Sequence, residues 1–176
     1  MADNTRRQIP DIKIEGAKLI FKNFQGKGND YNKEGDRNFG VLLPDDIAEV
    51  AAADGWRVKH RPPREEDGYE QPWLSVKVKY GQYPPIINLI TSKGKQKITE
   101  ETVGQLDWTQ IKNVDLIIRP YNYPAMTDKS GKVIRESGIS AYLKSMYVTV
   151  LEDDLAQKYA DIPDLDEPVE EEVPFN

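Results

Sequence analysis

WLSVKVKYG, residues Trp73–Gly81, has the period of a β-strand. Leu74, Val76, Val78 and Tyr80 fall on one side of it, and Trp73, Ser75, Lys77 and Lys79 on the other. An apolar row backed by one aromatic ring and two ammonium groups predicts a strand with one face on a core and one in water. Neighbouring segments repeat the pattern. Ile12–Phe24 (IKIEGAKLIFKNF) reads as one long strand, with Leu19 and Phe21 on one side and Lys18, Ile20 and Lys22 on the other. Gln25–Asp36 is rich in Gly, Asn and Asp, which predicts a loop. RNFGVLLP then resumes a strand, with Phe39, Val41 and Leu43 alternating inward.

Pro44-Asp45-Asp46 opens a short helix that stops at Gly55. Trp56–Pro72 predicts a short strand and a solvated excursion, and IINLITSKGKQK a strand ending in a basic loop. ITEETVGQLDWTQI has room for a helical turn or two. VDLIIRPYNYP predicts a strand running into a loop from Pro124 to Ser137, and GISAYLKSMYVTVLED is the last strand. Five or more strands, one or two short helices and no βαβ alternation predict a mainly β chain closed as a compact antiparallel barrel. No internal repeat is present at 20–50 residues. The expected organisation is a flexible N-terminus (1–10), a β domain (11–155) and an acidic disordered tail (156–176).

The net charge of −6 hides an asymmetry. Residues Glu152–Asn176 hold ten acidic residues and one lysine, a net of −9, which leaves the other 151 residues at 23 basic and 20 acidic, a net of +3. A mildly basic body therefore carries a strongly acidic tail, and the overall sign does not argue against a polyanionic partner. With no cysteine, there is no disulfide, thiolate metal site or cysteine nucleophile. No apolar run approaches the ~20 residues of a membrane span, and the N-terminus lacks an apolar signal region, so a cytosolic compartment and no membrane partner are expected.

Catalysis finds little footing. His60 is the only histidine, set among charges in VKHRPPREE, and reads as a surface residue. The GKG near Gly26–Gly28 lacks the rest of a dinucleotide fingerprint, and no GxxxxGK[ST] loop exists. No glutamate has a lysine two residues on, so the E-x-K pairing of many metal-dependent nucleases is missing. Glu65, Glu66 and Asp67 lie beside Pro62-Pro63 and Gly68, as a solvated loop would. The expectation is a non-enzyme with no metal and no cofactor.

Binding is better supplied. Trp73 with Lys77 and Lys79 combines a stacking surface with phosphate-tracking cations, the combination that suits single-stranded nucleic acid. Lys18 and Lys22 on the first strand, and Arg37 at the start of the next, add cations. RPYNYP contributes Arg119, Tyr121 and Tyr123 at a strand end, before a loop with Lys129, Lys132 and Arg135. Tyr142 and Lys144 share a face of the last strand, although Met146, Val148 and Val150 continue that face and argue for its turning inward.

In the tail, EEEVPF (Glu170–Phe175) resembles the acidic-Ile-Pro-Phe tip of bacterial single-stranded-DNA-binding proteins, with Val173 in place of isoleucine and Asn176 after the phenylalanine. WLSVKVKYG, TVGQLDWTQIKNVDLIIRPYNY and AYLKSMYVTV are similar to segments of the phage- and prophage-encoded proteins of that kind, so the resemblance spans residues 10–176. It implies an OB-fold, a five-stranded antiparallel β-barrel, that coats single-stranded DNA without strong sequence preference during replication, recombination or repair. It also implies that Glu170, Glu171, Glu172, Val173, Pro174 and Phe175 recruit replication or recombination proteins, and it is compatible with a homo-oligomer. Two other readings fit the residues: an interaction module or inhibitor whose tail mimics nucleic acid, and a barrel for single-stranded RNA.

Overall fold

The computed structural model describes residues 8–63, 66, 68–152, 155, 158–159, 161–163 and 165. Within them the alternating apolar residues build the strands β1 (Ile12–Ile14), β2 (Leu19–Asn23) and β3 (Arg37–Leu42). A helix, α1 (Asp45–Asp54), follows, then β4 (Lys59–Arg61), β5 (Gln71–Val78), β6 (Ile86–Thr91) and β7 (Gly94–Ile98). A 3-10 turn (Val103–Asp107) leads into β8 (Ile111–Tyr123), β9 (Met126–Thr127), β10 (Val133–Arg135) and β11 (Gly138–Val150). The helix has Asp45 and Asp46 in its first turn, where they complement the helix dipole. It stops at Gly55, whose φ of 99° only glycine adopts without strain.

The mainly β expectation holds, with one α-helix among the described residues. The strand count and pairing are richer than expected. Nine strands form one sheet in the order β1–β8–β11–β5–β3–β2, with β4 on β5, β6 on β11 and β7 on β6; β9 and β10 make a separate hairpin. Two pairings are parallel, β11 with β5 and β11 with β6. β5 lies against Ala141 and Tyr142, and β6 against Ser145–Thr149, so the two run along the same side of β11, interrupted by the loop 79–85. The segment expected to end in a basic loop instead folds back as β7, which places Lys95 and Lys97 on a strand.

Hydrogen bonds between strands do not close this sheet, because β1 and β2, at the two ends of the path, are not paired with each other. They are instead successive pieces of the single long strand expected at Ile12–Phe24. The strand breaks at Gly16, whose φ of 66° favours glycine. Ala17 donates its N–H to Val114 O at 2.7 Å, and Lys18 O accepts from Leu42 N–H at 3.0 Å. The chain thus crosses from the β8 edge to the β3 edge within one peptide unit.

The inward rows are those that period two predicts: Phe39 and Val41, Leu74, Val76 and Val78, and Val114, Leu116 and Ile118 are all buried. Each such side chain contributes about 1.5–3 kcal/mol on burial. Phe24 stacks on Phe39 with centroids 5.1 Å apart. Val103 and Leu106 of the 3-10 turn are fully buried in the same core. Asp107 ties that turn to the end of β2, accepting from Phe24 N–H (2.7 Å) and Gln25 N–H (3.0 Å). Among the described residues no helix is long and apolar enough to cross a membrane.

Asp107→Ala strands two half-buried amides that now donate to a charge. The expected loss is about 2–4 kcal/mol of stability, read as a lower urea midpoint with unchanged m-value.

Candidate nucleic-acid interface

Strands β3, β5, β11 and β8 lie side by side, so register turns single residues into rows across their outward face. Asn38 pairs with Lys77, Lys77 with Tyr142, and Tyr142 with Arg119, giving one continuous row over four strands. Gly40 pairs with Ser75, and Ser140 with Tyr121, alongside it. Tyr121 meets Tyr142 edge-on at 5.7 Å, and Lys77 Nζ lies 5.9 Å from the Tyr142 centroid. Lys79 continues the outward side of β5 and, with Arg119, Tyr121, Tyr142 and Tyr83, lines a shallow depression. Arg119 is fixed there by a hydrogen bond to Tyr83 O (3.1 Å) and by contact with the Tyr83 ring (5.0 Å).

Trp73 occupies the other end of the face. Its ring passes over Gly40: a Cβ at that position would sit 2.9 Å from Trp73 Cε3 and 2.8 Å from Ile20 Cγ1. Any larger residue would have to push the indole aside. Lys59 Nζ lies 5.0 Å from the Trp73 centroid, a cation held on an aromatic face.

Tyr142 faces outward because of a β-bulge. The β11–β8 register slips between Leu143 and Ser145, leaving Lys144 as the extra residue. Ala141 and Leu143 are therefore buried before the slip, and Met146 and Val148 after it. Tyr142 therefore does not share the inward side of Met146, Val148 and Val150 that unbroken alternation predicts for it; the one-residue change of phase separates them.

The structure brings Trp73, Lys77, Lys79, Arg119, Tyr121 and Tyr142 together and places the remaining candidates elsewhere. Tyr123 is on the outward phase of β8 but lies between guanidiniums, Arg135 at 4.7 Å and Arg57 at 5.5 Å from its ring; its hydroxyl is buried without a hydrogen-bond partner. Lys22 donates to Leu106 O at 2.9 Å and to Thr109 O at 3.5 Å, so its charge serves the end of the 3-10 turn. Lys18 is exposed at the β2 edge, beyond the four-strand face. Lys144 is paired with Asp11 at 2.9 Å. Arg37 shares the phase of Phe39 and Val41 and caps one end of the core, 3.4 Å from Glu100 and 5.7 Å from the Tyr80 ring centroid. Lys129, Lys132 and Arg135 belong to the β9–β10 hairpin, whose turn is held by Asp128 accepting from Ser130 Oγ and N–H and from Lys132 N–H. These bonds, Ser130 first, hold the Asp128 carboxyl below its usual range. The tip Glu170–Phe175 lies outside the described residues.

Three aromatic residues not among the sequence candidates line a second depression beside the face. Phe21, which alternation puts on the side of Leu19, is 61% exposed and meets the Trp73 ring at 5.2 Å. A register shift between Ile20 and Asn23 turns it out. Tyr31 (98% exposed) and Trp108 (65%) line the same depression. For Phe21 the sequence holds no signal, since a bulge is not visible in it. Tyr31 and Trp108 had one: each is a large ring in an otherwise polar stretch.

Among the described residues no group of three His, Cys, Asp or Glu side chains could hold a metal ion, and His60 is exposed on β4. Rings and cations, rather than a catalytic constellation, dominate the face. Residues 1–174 match the family described as "Putative phage ssDNA-binding domain". The chain belongs to this phage ssDNA-binding domain family. Two solved structures of one phage protein share the fold. The single-stranded DNA-binding protein from bacteriophage Enc34 in complex with ssDNA is 12% identical, with a TM-score of 0.52 over 81% of this chain and 88% of that one. A second structure of the Enc34 protein gives 12% and 0.50 over 88% and 90%. The single-stranded DNA-binding protein gp2.5 of bacteriophage T7 gives 11% and 0.39 over 88% and 95%. No curated protein matches the sequence.

In this family member the Arg37 end of the core contains a titrating group. Burial pushes the Tyr80 phenol up to about 12, Arg37 pulling the other way and Glu100 and Glu101 adding to the rise. Its hydroxyl has no hydrogen-bond partner. A phenol with a raised folded-state pKa stabilises fully below its unfolded value of about 10, and that contribution is lost as pH climbs from there through about 12. Stability should fall between pH 10 and 12 in thermal melts, and Tyr80→Phe should flatten that decline without loss at pH 7.

Proposed function

We propose that this protein binds single-stranded DNA on the outward face of β3, β5, β11 and β8, without strong sequence preference. The observation that carries the reading is the registered row Asn38–Lys77–Tyr142–Arg119, flanked by Trp73 and Tyr121. Rings on neighbouring strands offer π-faces that every base shares, and the ammonium and guanidinium groups beside them follow phosphates. Family membership and the fold shared with the Enc34 protein support it.

The body is, on this reading, an OB-type barrel of five principal strands: the broken first strand (β1 with β2), β3, β5, β8 and β11. The parallel contact of β5 with β11 and the crossing at Ala17-Lys18 support that assignment. The role is to protect exposed strands in phage replication, recombination or repair inside the host cell. The acidic tail, 156–176, recruits partner proteins through Glu170–Phe175, and no catalysis is involved. At −9 beside +3 for the rest of the chain, the segment Glu152–Asn176 also competes with DNA for the basic face, an attraction that salt screens.

Titration with poly-dT, poly-U and duplex DNA at two salt concentrations, followed by tryptophan fluorescence, tests the binding. Quenching by poly-dT should be strongest, with a log-log salt slope near −0.7 per phosphate contact. Trp73→Ala should weaken binding by about 1–3 kcal/mol. Preference for poly-U would favour an RNA-binding barrel, and no binding by any chain length an interaction module. For the tail, a chain ending at Asp153 should hold poly-dT more tightly than the full chain at low salt, the gap narrowing at high salt. Equal or weaker binding would rule out the competition.

A further inference from the structure

Phe21 is the described non-glycine residue with a positive φ, 50°. A bulky side chain in the left-handed region is strained, and the Phe21 ring itself gains no burial from it, being 61% exposed. Strand β2 could relieve it by alternating normally, which would return the ring to the side of Leu19. Instead the bulge between Ile20 and Asn23 holds an apolar ring in water against the edge of Trp73, 5.2 Å away at 63° between planes. The same change of phase buries Phe24 against Phe39, so the bulge itself serves the core. What the fold does not require is a large apolar ring at the strained, exposed position, and next to a candidate binding face a ligand accounts for it.

The surroundings indicate which ligand. Phe21 opens onto a depression of about 640 Å³ that also takes in Tyr31 and Trp108, with Lys27 at its margin and Asn38 and Ser75 from the outward rows of β3 and β5. Asn38 and Ser75 make this depression continuous with the row that holds Lys77 and Tyr142. Tyr31 and Trp108 are not packed into the core; they are among the most exposed rings of the chain. Three exposed rings lining one open depression, with a cation and amides among its walls, match unstacked nucleobases in chemistry, and the volume has room for more than one.

We propose that the Phe21–Tyr31–Trp108 depression is a nucleobase-binding site, adjoining the sheet face, in which Phe21 is a stacking residue held out by a strained bulge. This rests on the single-strand reading above and extends the path of the strand past Trp73 towards the loop between β2 and β3. Phe21 and Trp73, edge to face, form the step between the two parts of the path.

A strained functional residue and a structural one respond oppositely to glycine. Phe21→Gly removes both the strain and the ring, and should leave the melting temperature of the full chain at or above that of the parent. It should weaken binding of a fluorescein-labelled dT oligonucleotide by about tenfold, measured by anisotropy. Phe21→Tyr should restore most of the affinity. On an oligonucleotide of the same length made of abasic deoxyribose phosphates, the parent and Phe21→Gly should bind alike, because only a base can stack. Unchanged dT affinity in Phe21→Gly, with Trp73→Ala impaired, would overturn this site and leave the sheet-face reading standing. A parent chain that fails to bind dT would overturn both. A lower melting temperature in Phe21→Gly would make the ring a structural element and overturn the strain argument.

Discussion

Two residue pairs decide how this molecule presents itself: Val76 with Ala141 and Lys77 with Tyr142, the parallel seam between β5 and β11. On one side of the seam lie β3, β2 and β4; on the other lie β8 and β1. Without it, the lysines of β5 and the tyrosines of β8 and β11 would belong to separate hairpins. Because it is parallel, it cannot be made by a tight turn and depends on the long excursion from Val78 to Gly138. The core supports it from beneath, since Val76 and Ala141 are both buried against the same interior.

Two devices then set what the outward face exposes. The Lys144 bulge lets one strand serve two purposes, with half-buried Tyr142 on the outward face before the slip and Met146 and Val148 in the core after it. Gly40 supplies an absence: with no side chain there, the Trp73 indole can lie across β3. Both are local departures from regularity, and each re-aims a ring. The third departure, at Phe21, does the same on β2.

This explains what could be read from the sequence and what could not. Period-two alternation is a property of short segments, so the inward rows of β3 and β5, the helix ending at Gly55 and the outward side of Trp73 and Lys77 were legible. Phase is cumulative, and a bulge resets it without a mark in composition, so alternation alone could not say which way Phe21 or Tyr142 faces. Lys22, Arg37 and Lys144 looked alike as cations on strands. Their differences arise from partners far away in sequence, Leu106 for Lys22, Glu100 for Arg37 and Asp11 for Lys144. Charge counting could find the basic body but could not show which cations are already engaged.

The hairpin formed by β6 and β7 has one further consequence. Among the described residues its outer strand bonds to β6 alone, with a row of backbone donors and acceptors along its other border. Lys95 and Lys97 stand exposed on that border, with Lys93 in the turn that precedes it. Like charges facing each other there oppose fusion of one sheet with the next. Molecules crowded side by side along a common polymer would repeatedly bring such borders together. The lysines would let the molecules lie close without merging into an aggregate.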